Sequence, residues 1–464
     1  MAPKVGSADA LERAAQLRAR LALEEAARKR VPPVRVDVER VSDFLPPPKA
    51  PITRYDFDFD ADLLAPRTEE TALKQMDGIL LGPTLERSEN DATVVRDAPN
   101  VNNPEDTGTL INAPPGGQIT STSSERHLAA EAQLEANAAL ERAALAKLSP
   151  EEAAKYAAIK AACLAAGDPV AALALQKLLF SGKLPGIEDL KGGGTLLDNL
   201  ATIADPNTPL AEGLDRGAFL CDLVQEVATP SSISQGNIGT CGPTAAIIDL
   251  AMKNPAEYAR IALGLASPEG TVELAGGQVI SREDGTLGKD PWGRSTVQAL
   301  MGAAFMEIAN EEQDYDDSQS DTGGAGFNGL DRLMEQIWDT PMQALELLTA
   351  AEKTAAAQAL YDATAQGETA VVSMAWGDPP TGAHAVLVVG TETIGGVEYV
   401  RYINPWGREE RMTKEEFERR LQRVHSAPPE TEESSGGGGG GSWNIDNRSW
   451  VDDIMRLRRV NHGR

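Results

Sequence analysis

The chain has 464 residues, and its 43 Lys and Arg residues stand against 70 Asp and Glu, which gives a formal net charge of −27. That sign disfavours general binding to nucleic acids or to anionic membranes, whose protein partners present positive surfaces. Cys163, Cys221 and Cys241 form no CxxC pair, so we expect free thiols in a reducing compartment, without a disulfide framework or a thiolate zinc site.

Residues 1–125 form the first predicted region. Residues 9–30 are rich in Ala, Leu, Glu and Arg and precede two prolines, which predicts a helix. Residues 45–125 combine proline clusters with polar stretches and few aromatics, so we expect most of them to be disordered. We interpret the region as a solvated arm, with docking to a delivery particle or a chaperone as the alternative.

The first twenty residues lack the apolar core of a secretory signal, and no run approaches the ~20 apolar residues that span a bilayer. We therefore expect a protein that is made in the cytoplasm and has no membrane span. Export by a dedicated injection system, which leaves no such signal, is compatible with this sequence.

Residues 126–207 predict a helical segment. Ser149 with Pro150, and Asp168 with Pro169, each place a capping side chain directly before a proline, which is typical of a helix start. The second of these helices should stop near Gly182. The segment is predicted to be an accessory domain or an inhibitory propeptide.

Residues 208–428 have a mixed pattern, and 429–464 read as a glycine-rich linker with a short tail. Helices are predicted after Cys241 and at 292–310, 330–339 and 414–424. Two short strands that meet at Gly276 and Gly277 are predicted within 271–280, and further strands at 369–376, 384–392 and 397–407. The acidic stretch 311–321 is expected to be a solvated loop. Lining a cleft for basic substrates, or binding calcium, are the alternatives for that stretch.

Cys241 lies in "SQGNIGTCGPTAAI", where glycine-rich chain gives way to an apolar helical run. A thiol attacks carbonyl groups as a thiolate, and a helix N-terminus stabilises negative charge. Pro243 favours a helix that begins here, while Gly236 and Gly239 allow a tight turn before it. These features predict a nucleophile rather than an inert buried cysteine.

A thiolate nucleophile needs a base, and histidine is scarce in this chain. His127, His425 and His462 lie in a polar stretch, at the end of a charged helix and in the tail, respectively. Only His384 begins a strand of the predicted globular part, which would hold its imidazole in place. His384 is therefore the candidate general base.

Asn404 ends the strand that pairs with the His384 strand, so the two side chains should lie close together. The amide oxygen of Asn404 could then accept a hydrogen bond from the ring and fix its tautomer, with Trp406 covering that bond. Gln235, six residues before Cys241, is the candidate side-chain donor to an oxyanion.

The ordered set Gln235, Cys241, His384 and Asn404 resembles the papain-like cysteine peptidase superfamily. "QGNIGTC" and "NPWG" are similar to the calpain motifs, whereas "CGPTAA" and "HAVLVVG" are closer to peptidases that cleave double-glycine leaders. The resemblance covers about 208–428. It implies an α+β, two-lobed domain, with a helical lobe headed by Cys241 and a β lobe bearing His384 and Asn404.

By the same resemblance, Cys241 is the nucleophile, His384 the general acid and base, Asn404 its orienting partner and Gln235 the oxyanion donor, with no metal or organic cofactor. Papain and calpain have an aromatic residue where this chain has Gly242, and the leader peptidases usually have Asp in place of Asn404.

We therefore expect a cysteine peptidase acting on proteins or peptides, in the manner of a delivered bacterial effector or toxin. A deamidase or transglutaminase that uses the same site is one alternative. A non-enzymatic cargo protein with an inactive papain-like domain is the other.

Overall fold

Helices dominate the first half of the part that the structure describes, and most strands come in the second half. The computed structural model describes residues 68–80, 120–288, 290–310, 315–317, 325, 328–377 and 380–426. The helix predicted at 9–30, the predicted linker and tail at 429–464 and most of the arm lie outside these residues. No helix within the described ranges is long and apolar enough to cross a bilayer.

The N-terminal half of the described chain contains seven α-helices. They are α1 (Glu69–Leu80), α2 (Thr120–Ala136), α3 (Ala138–Leu145), α4 (Pro150–Ala165), α5 (Pro169–Phe180), α6 (Leu196–Ala204) and α7 (Arg216–Ala228). A short 3-10 helix, Pro230–Ser232, follows them.

The remaining elements mix helix and strand, so the described chain belongs to the α+β class. They are α8 (Cys241–Lys253), α9 (Pro255–Ala266), β1 (Thr271–Glu273), β2 (Val279–Ser281), α10 (Thr296–Ala309), α11 (Gly329–Trp338), β3 (Gln343–Glu346), α12 (Ala350–Ala365), β4 (Ala370–Gly377), β5 (Pro380–Ile394), β6 (Val397–Asn404), β7 (Arg408–Thr413), α13 (Lys414–Arg420) and β8 (Leu421–Ser426).

The helix starts predicted from capping residues are confirmed. Ser149 accepts the Glu152 N–H at 3.2 Å, and the Glu152 carboxylate accepts the Ser149 N–H at 2.7 Å, which completes a capping box. Asp168 accepts the Ala171 N–H at 2.9 Å and caps α5. These bonds satisfy backbone donors that have no partner within the helix.

The prediction of disorder across 45–125 is wrong for 69–80, which form α1. Ala72, Met76 and Leu80 recur at helical spacing and are buried where α1 packs on α5. The Arg126 guanidinium donates to the carbonyl of Leu80 at 2.6 Å, and so satisfies an acceptor at the helix end. The apolar spacing was present in the sequence, but the surrounding polar composition obscured it.

Six antiparallel strands form the main sheet, in the order β3-β8-β4-β5-β6-β7. The helix predicted at 414–424 is wrong beyond Arg420, because the chain continues as β8 between β3 and β4. Leu421 and Val424 stand opposite residues of β4 and are fully buried. Sheet pairing and burial thus outweigh the helical composition of this stretch.

Two hydrophobic cores cover the two faces of this sheet. One core joins apolar residues of α1 and of α4–α11 to Val371, Ala385, Leu387 and Ile403 on the sheet. The other core places α12 and α13 against the opposite face, around Val372, Met374, Val386 and Val388. The first core runs without a break from residues before 207 to residues after it, since α5 packs on α7 and α6 packs on α9.

This shared core predicts that the fragment 206–428 is unstable by itself. The fragment lacks Leu173, Leu178 and Leu200, so the apolar surface of 206–428 that packs on them in the full chain would be exposed to water. Burial of each such side chain stabilises a fold by about 1.5–3 kcal/mol. We expect 206–428 to lack a cooperative melting transition by circular dichroism, while 68–428 melts as the full chain does. Equal melting temperatures for the two fragments would contradict the shared core.

Candidate active site

Cys241 is the first residue of α8, and its side chain is half-buried. The first N–H groups of a helix have no partner within it, and the positive end of the helix dipole lies there. Burial by itself raises the pKa of the Cys241 thiol. Interactions with His384 and with the N–H groups of Ala385 and Gly242 lower the pKa by more than burial raises it. The net effect is a pKa below the usual range, which favours the thiolate.

The loop before Cys241 needs glycine at one position. Gly236 has a φ of +66°, and a Cβ there would lie 2.3 Å from the carbonyl oxygen of Trp292. The same carbonyl accepts the Asn237 N–H at 2.9 Å, so the loop lies directly against the chain around Trp292. A side chain at 236 would push this loop away.

Arg294 fixes the segment around Trp292 through ion pairs on both sides of it in the sequence. Its guanidinium bonds both oxygens of Asp317 at 2.9 and 2.6 Å and also bonds Asp290 at 2.7 Å. The indole N–H of Trp292 donates to the Asp317 carbonyl at 2.8 Å. Within the predicted acidic loop, the described residues Tyr315 and Asp317 are therefore buried and bonded rather than solvated.

His384 on β5 meets Asn404 at the end of β6, as the hairpin predicts. His384 Nε2 lies 3.0 Å from Asn404 Oδ1, and both side chains are buried. The same oxygen accepts the Trp406 N–H at 3.2 Å, which identifies it as the oxygen of the carboxamide. His384 Nε2 is thus the protonated nitrogen when the ring is neutral, and Nδ1 then has the free lone pair.

Two indole rings enclose the imidazole of His384. The Trp406 ring stacks on it with centroids 4.6 Å apart at 22°, and the Trp376 ring lies 4.5 Å away at 49°. The two indoles meet edge to face at 5.6 Å. This cage restricts the ring and keeps water from its bond to Asn404, which strengthens that bond.

Gln235 joins the cysteine loop to the asparagine turn. Its backbone N–H donates to the Pro405 carbonyl at 2.6 Å, and its side-chain nitrogen donates to the Ile238 carbonyl at 2.6 Å. The Ile238 bond uses one of the two side-chain N–H groups. Gln235 is therefore part of the loop that leads to Cys241, with its carboxamide buried.

Gly242 follows Cys241 at a position with close neighbours. A Cβ at this residue would lie 3.3 Å from Cβ of Ala325 and 3.6 Å from Leu330 on α11. A side chain at 242 would have to fit against these neighbours. Helix α11 thus occupies the space next to Cys241.

Sequence reasoning missed a second polar cluster, formed by Ser373, His425 and Asp331. Ser373 Oγ lies 3.1 Å from His425 Nε2, and His425 Nδ1 lies 2.7 Å from Asp331 Oδ1. Its members come from β4, β8 and α11. Because the helix predicted at 414–424 ends directly before His425, the sequence does not predict a position in the sheet for this residue.

Comparison of the chain with protein-family models and with curated protein sequences gives no match. The site is therefore interpreted from its own geometry. His384 is hydrogen-bonded to Asn404 and lowers the pKa of the Cys241 thiol, and Gln235 lies in the loop that leads to Cys241.

We expect Gly236→Ala to lower the melting temperature more than Gly182→Ala does. Both glycines have similar positive φ values, but a Cβ at Gly182 meets nothing within 4 Å, so that variant suffers only the left-handed backbone cost of about 1–2 kcal/mol. The additional clash with Trp292 should also reduce the reactivity of Cys241. Equal destabilisation in both variants would show that the loop does not need the close approach.

The lowered pKa predicts the pH dependence of Cys241 alkylation. In the wild-type protein, the iodoacetamide rate at Cys241 should reach half its plateau below the pKa of about 8.5 that is usual for a free cysteine. In His384→Ala, burial is no longer opposed by the imidazole, so the midpoint should move above that of the wild type. Peptide mapping by mass spectrometry reads the rate at this cysteine alone. Identical midpoints would mean that His384 does not act on the thiol.

Proposed function

We propose that this protein is a thiol hydrolase that cleaves peptide or isopeptide bonds through a covalent acyl-enzyme. The observation that supports this most directly is the 3.0 Å hydrogen bond between His384 Nε2 and Asn404 Oδ1, together with the effect of His384 in lowering the pKa of the Cys241 thiol. A papain-like arrangement in two lobes is part of the proposal. The helices headed by Cys241 form one lobe, the sheet with His384 and Asn404 forms the other, and the substrate lies between them.

The first chemical step is attack on the substrate carbonyl. The sulfur of Cys241 forms a bond to the carbonyl carbon, and the π electron pair of the carbonyl moves onto its oxygen. The lowered pKa of the thiol supports this step, because it increases the fraction of thiolate at neutral pH. The proton that the thiol loses is held by His384 as an imidazolium.

His384 then returns that proton to the leaving amine as the carbon–nitrogen bond breaks, which leaves a thioester on Cys241. In the second half of the reaction, a water molecule gives a proton to His384 and its oxygen attacks the thioester carbon. The carbon–sulfur bond breaks and the acid product leaves. Asn404 and the indole cage support both halves, because they hold the ring in one orientation.

The negative oxygen of the intermediate needs hydrogen-bond donors near the sulfur. The unpaired N–H groups at the start of α8 are suitable donors, since they lie at the positive end of the helix. Gln235 is the proposed side-chain donor, through the N–H that Ile238 does not use. Loss of one such donor typically costs about 100-fold or more in rate.

We expect Cys241→Ala to abolish cleavage of a denatured-proteome peptide mixture and to leave the melting temperature within a few degrees of the wild type. Cys221→Ala is the matched control: this cysteine is buried in α7, away from the proposed chemistry, so that variant should keep cleaving. Full activity of Cys241→Ala would refute the proposal.

Mass spectrometry of the same reactions separates hydrolysis of the main chain from other uses of an acyl-enzyme. New peptide termini that depend on Cys241 support a peptidase. Glutamine side chains that gain about one dalton would instead identify a deamidase, and cross-linked peptides a transglutaminase. A chain that reacts with neither peptides nor electrophilic thiol probes is inactive as an enzyme.

A further inference from the structure

In the cluster of Ser373, His425 and Asp331, the hydrogen bonds fix the orientation of the Ser373 hydroxyl group. A carboxylate only accepts hydrogen bonds, so the 2.7 Å contact with Asp331 places a proton on His425 Nδ1. In the neutral imidazole, Nε2 is then an acceptor, and the Ser373 hydroxyl donates to it at 3.1 Å. The lone pairs of the serine oxygen remain available to a donor from outside the cluster.

Two independent contacts place this cluster beside the nucleophile. Ser373 stands opposite Ala385 in the β4–β5 register, and the Ala385 N–H lies near enough to the thiol of Cys241 to help lower its pKa. Since facing residues of antiparallel strands have Cα atoms about 4.5–5.5 Å apart, Ser373 lies within about 10 Å of the sulfur. On the other side, Asp331 follows Leu330, whose side chain lies over Gly242.

Exposure differs within the cluster. His425 and Asp331 are 3% and 5% exposed, whereas Ser373 is only partly buried, as Cys241 is. The hydroxyl is therefore the member that a ligand can reach, and the histidine and aspartate lie behind it. Ser373 and Cys241 are thus two neighbouring polar residues that are both partly exposed.

A second hydrolytic centre is the obvious alternative, because serine, histidine and aspartate in this order can activate a nucleophile. The position of Ser373 argues against it. This residue is within β4 and pairs with Ala385 on one side and Arg423 on the other, so its main chain belongs to the sheet. A serine nucleophile needs free N–H donors for the oxyanion, and a paired central strand does not offer them.

The charges around Ser373 favour a cationic ligand. The aspartate and histidine sum to −1 with a neutral imidazole and to zero with an imidazolium, so the pair is never positive. Arg423, which faces Ser373 from β8, lies 3.8 Å from the carboxylate of Glu346 and is offset by it. The net charge of −27 for the whole chain acts in the same direction.

We propose that Ser373, positioned by His425 and Asp331, is the acceptor of a subsite that binds a Lys or Arg side chain of the substrate close to the scissile bond. This inference rests on the proposed thiol hydrolase. An extended substrate advances about 3.3–3.6 Å per residue, so a subsite this close to the sulfur reads one of the first few positions beside the scissile bond. The subsite makes the enzyme selective for basic segments of protein substrates.

To test this proposal, the full chain is incubated with a mixture of proteome-derived peptides, and the cleavage sites are identified by mass spectrometry. Lys and Arg should be enriched at one position near the cleaved bond. A peptide with Lys there should then have a kcat/KM about tenfold or more above the same peptide with norleucine, which has a similar length and no charge.

Variants assign the preference to the cluster. Ser373→Ala should lower kcat/KM for the Lys peptide about tenfold, mainly through KM, and should leave the norleucine peptide unchanged. Asp331→Asn should reduce the preference in the same direction. Ser281→Ala makes the same chemical change on the exposed face of β2 and should alter neither peptide.

Cleavage that depends on Cys241 but shows no Lys or Arg preference would overturn the subsite and leave the proposed function intact. A preference that Ser373→Ala does not change would also overturn it, as would labelling of Ser373 by a fluorophosphonate probe. Absence of both cleavage and thiol-probe labelling would refute the proposed function, and the subsite with it.

Discussion

The loop that contains the thiol and the turn that contains the carboxamide are joined by main-chain contacts. The Gln235 N–H bonds the Pro405 carbonyl at 2.6 Å, and Ser234 pairs with Trp406 in an isolated bridge. Cys241 and Asn404 are far apart in the sequence and belong to different elements. The geometry of the site therefore depends on these main-chain contacts between 234–235 and 405–406, which we call the seam. Directional backbone bonds suit that task, because they fix position to within a few tenths of an ångström.

Because the seam brings the two loops together, several opposing effects act on the pKa of the Cys241 thiol. Burial disfavours the thiolate, while the imidazole and two backbone N–H groups favour it, and the second group prevails. Without the imidazole, the same partly buried position would hold an inert thiol. The indole cage contributes by restricting the ring of His384, which would otherwise lose its bond to Asn404 whenever it rotated.

The sequence is most informative where one residue type has one physical reason to be present. Capping side chains before prolines located α4 and α5, and two glycines at a hairpin predicted the contact between His384 and Asn404. Short strands with no alternating pattern, such as β3 and β8, were not recognisable, because their stability comes from partners distant in the chain. The second cluster was hidden for a related reason, since Ser373 and His425 meet through the pairing of β4 with β8, and Asp331 reaches His425 from α11.

The measurement that tests the central claim most directly is a crystal structure of the protein after reaction with a peptide aldehyde. We expect a covalent bond from the sulfur of Cys241 to the aldehyde carbon, with His384 beside that sulfur and its Nε2 bonded to Asn404. The new oxygen should lie within hydrogen-bond distance of the first N–H groups of α8. An aldehyde bound elsewhere, or an imidazole remote from the sulfur in the adduct, would contradict the assignment.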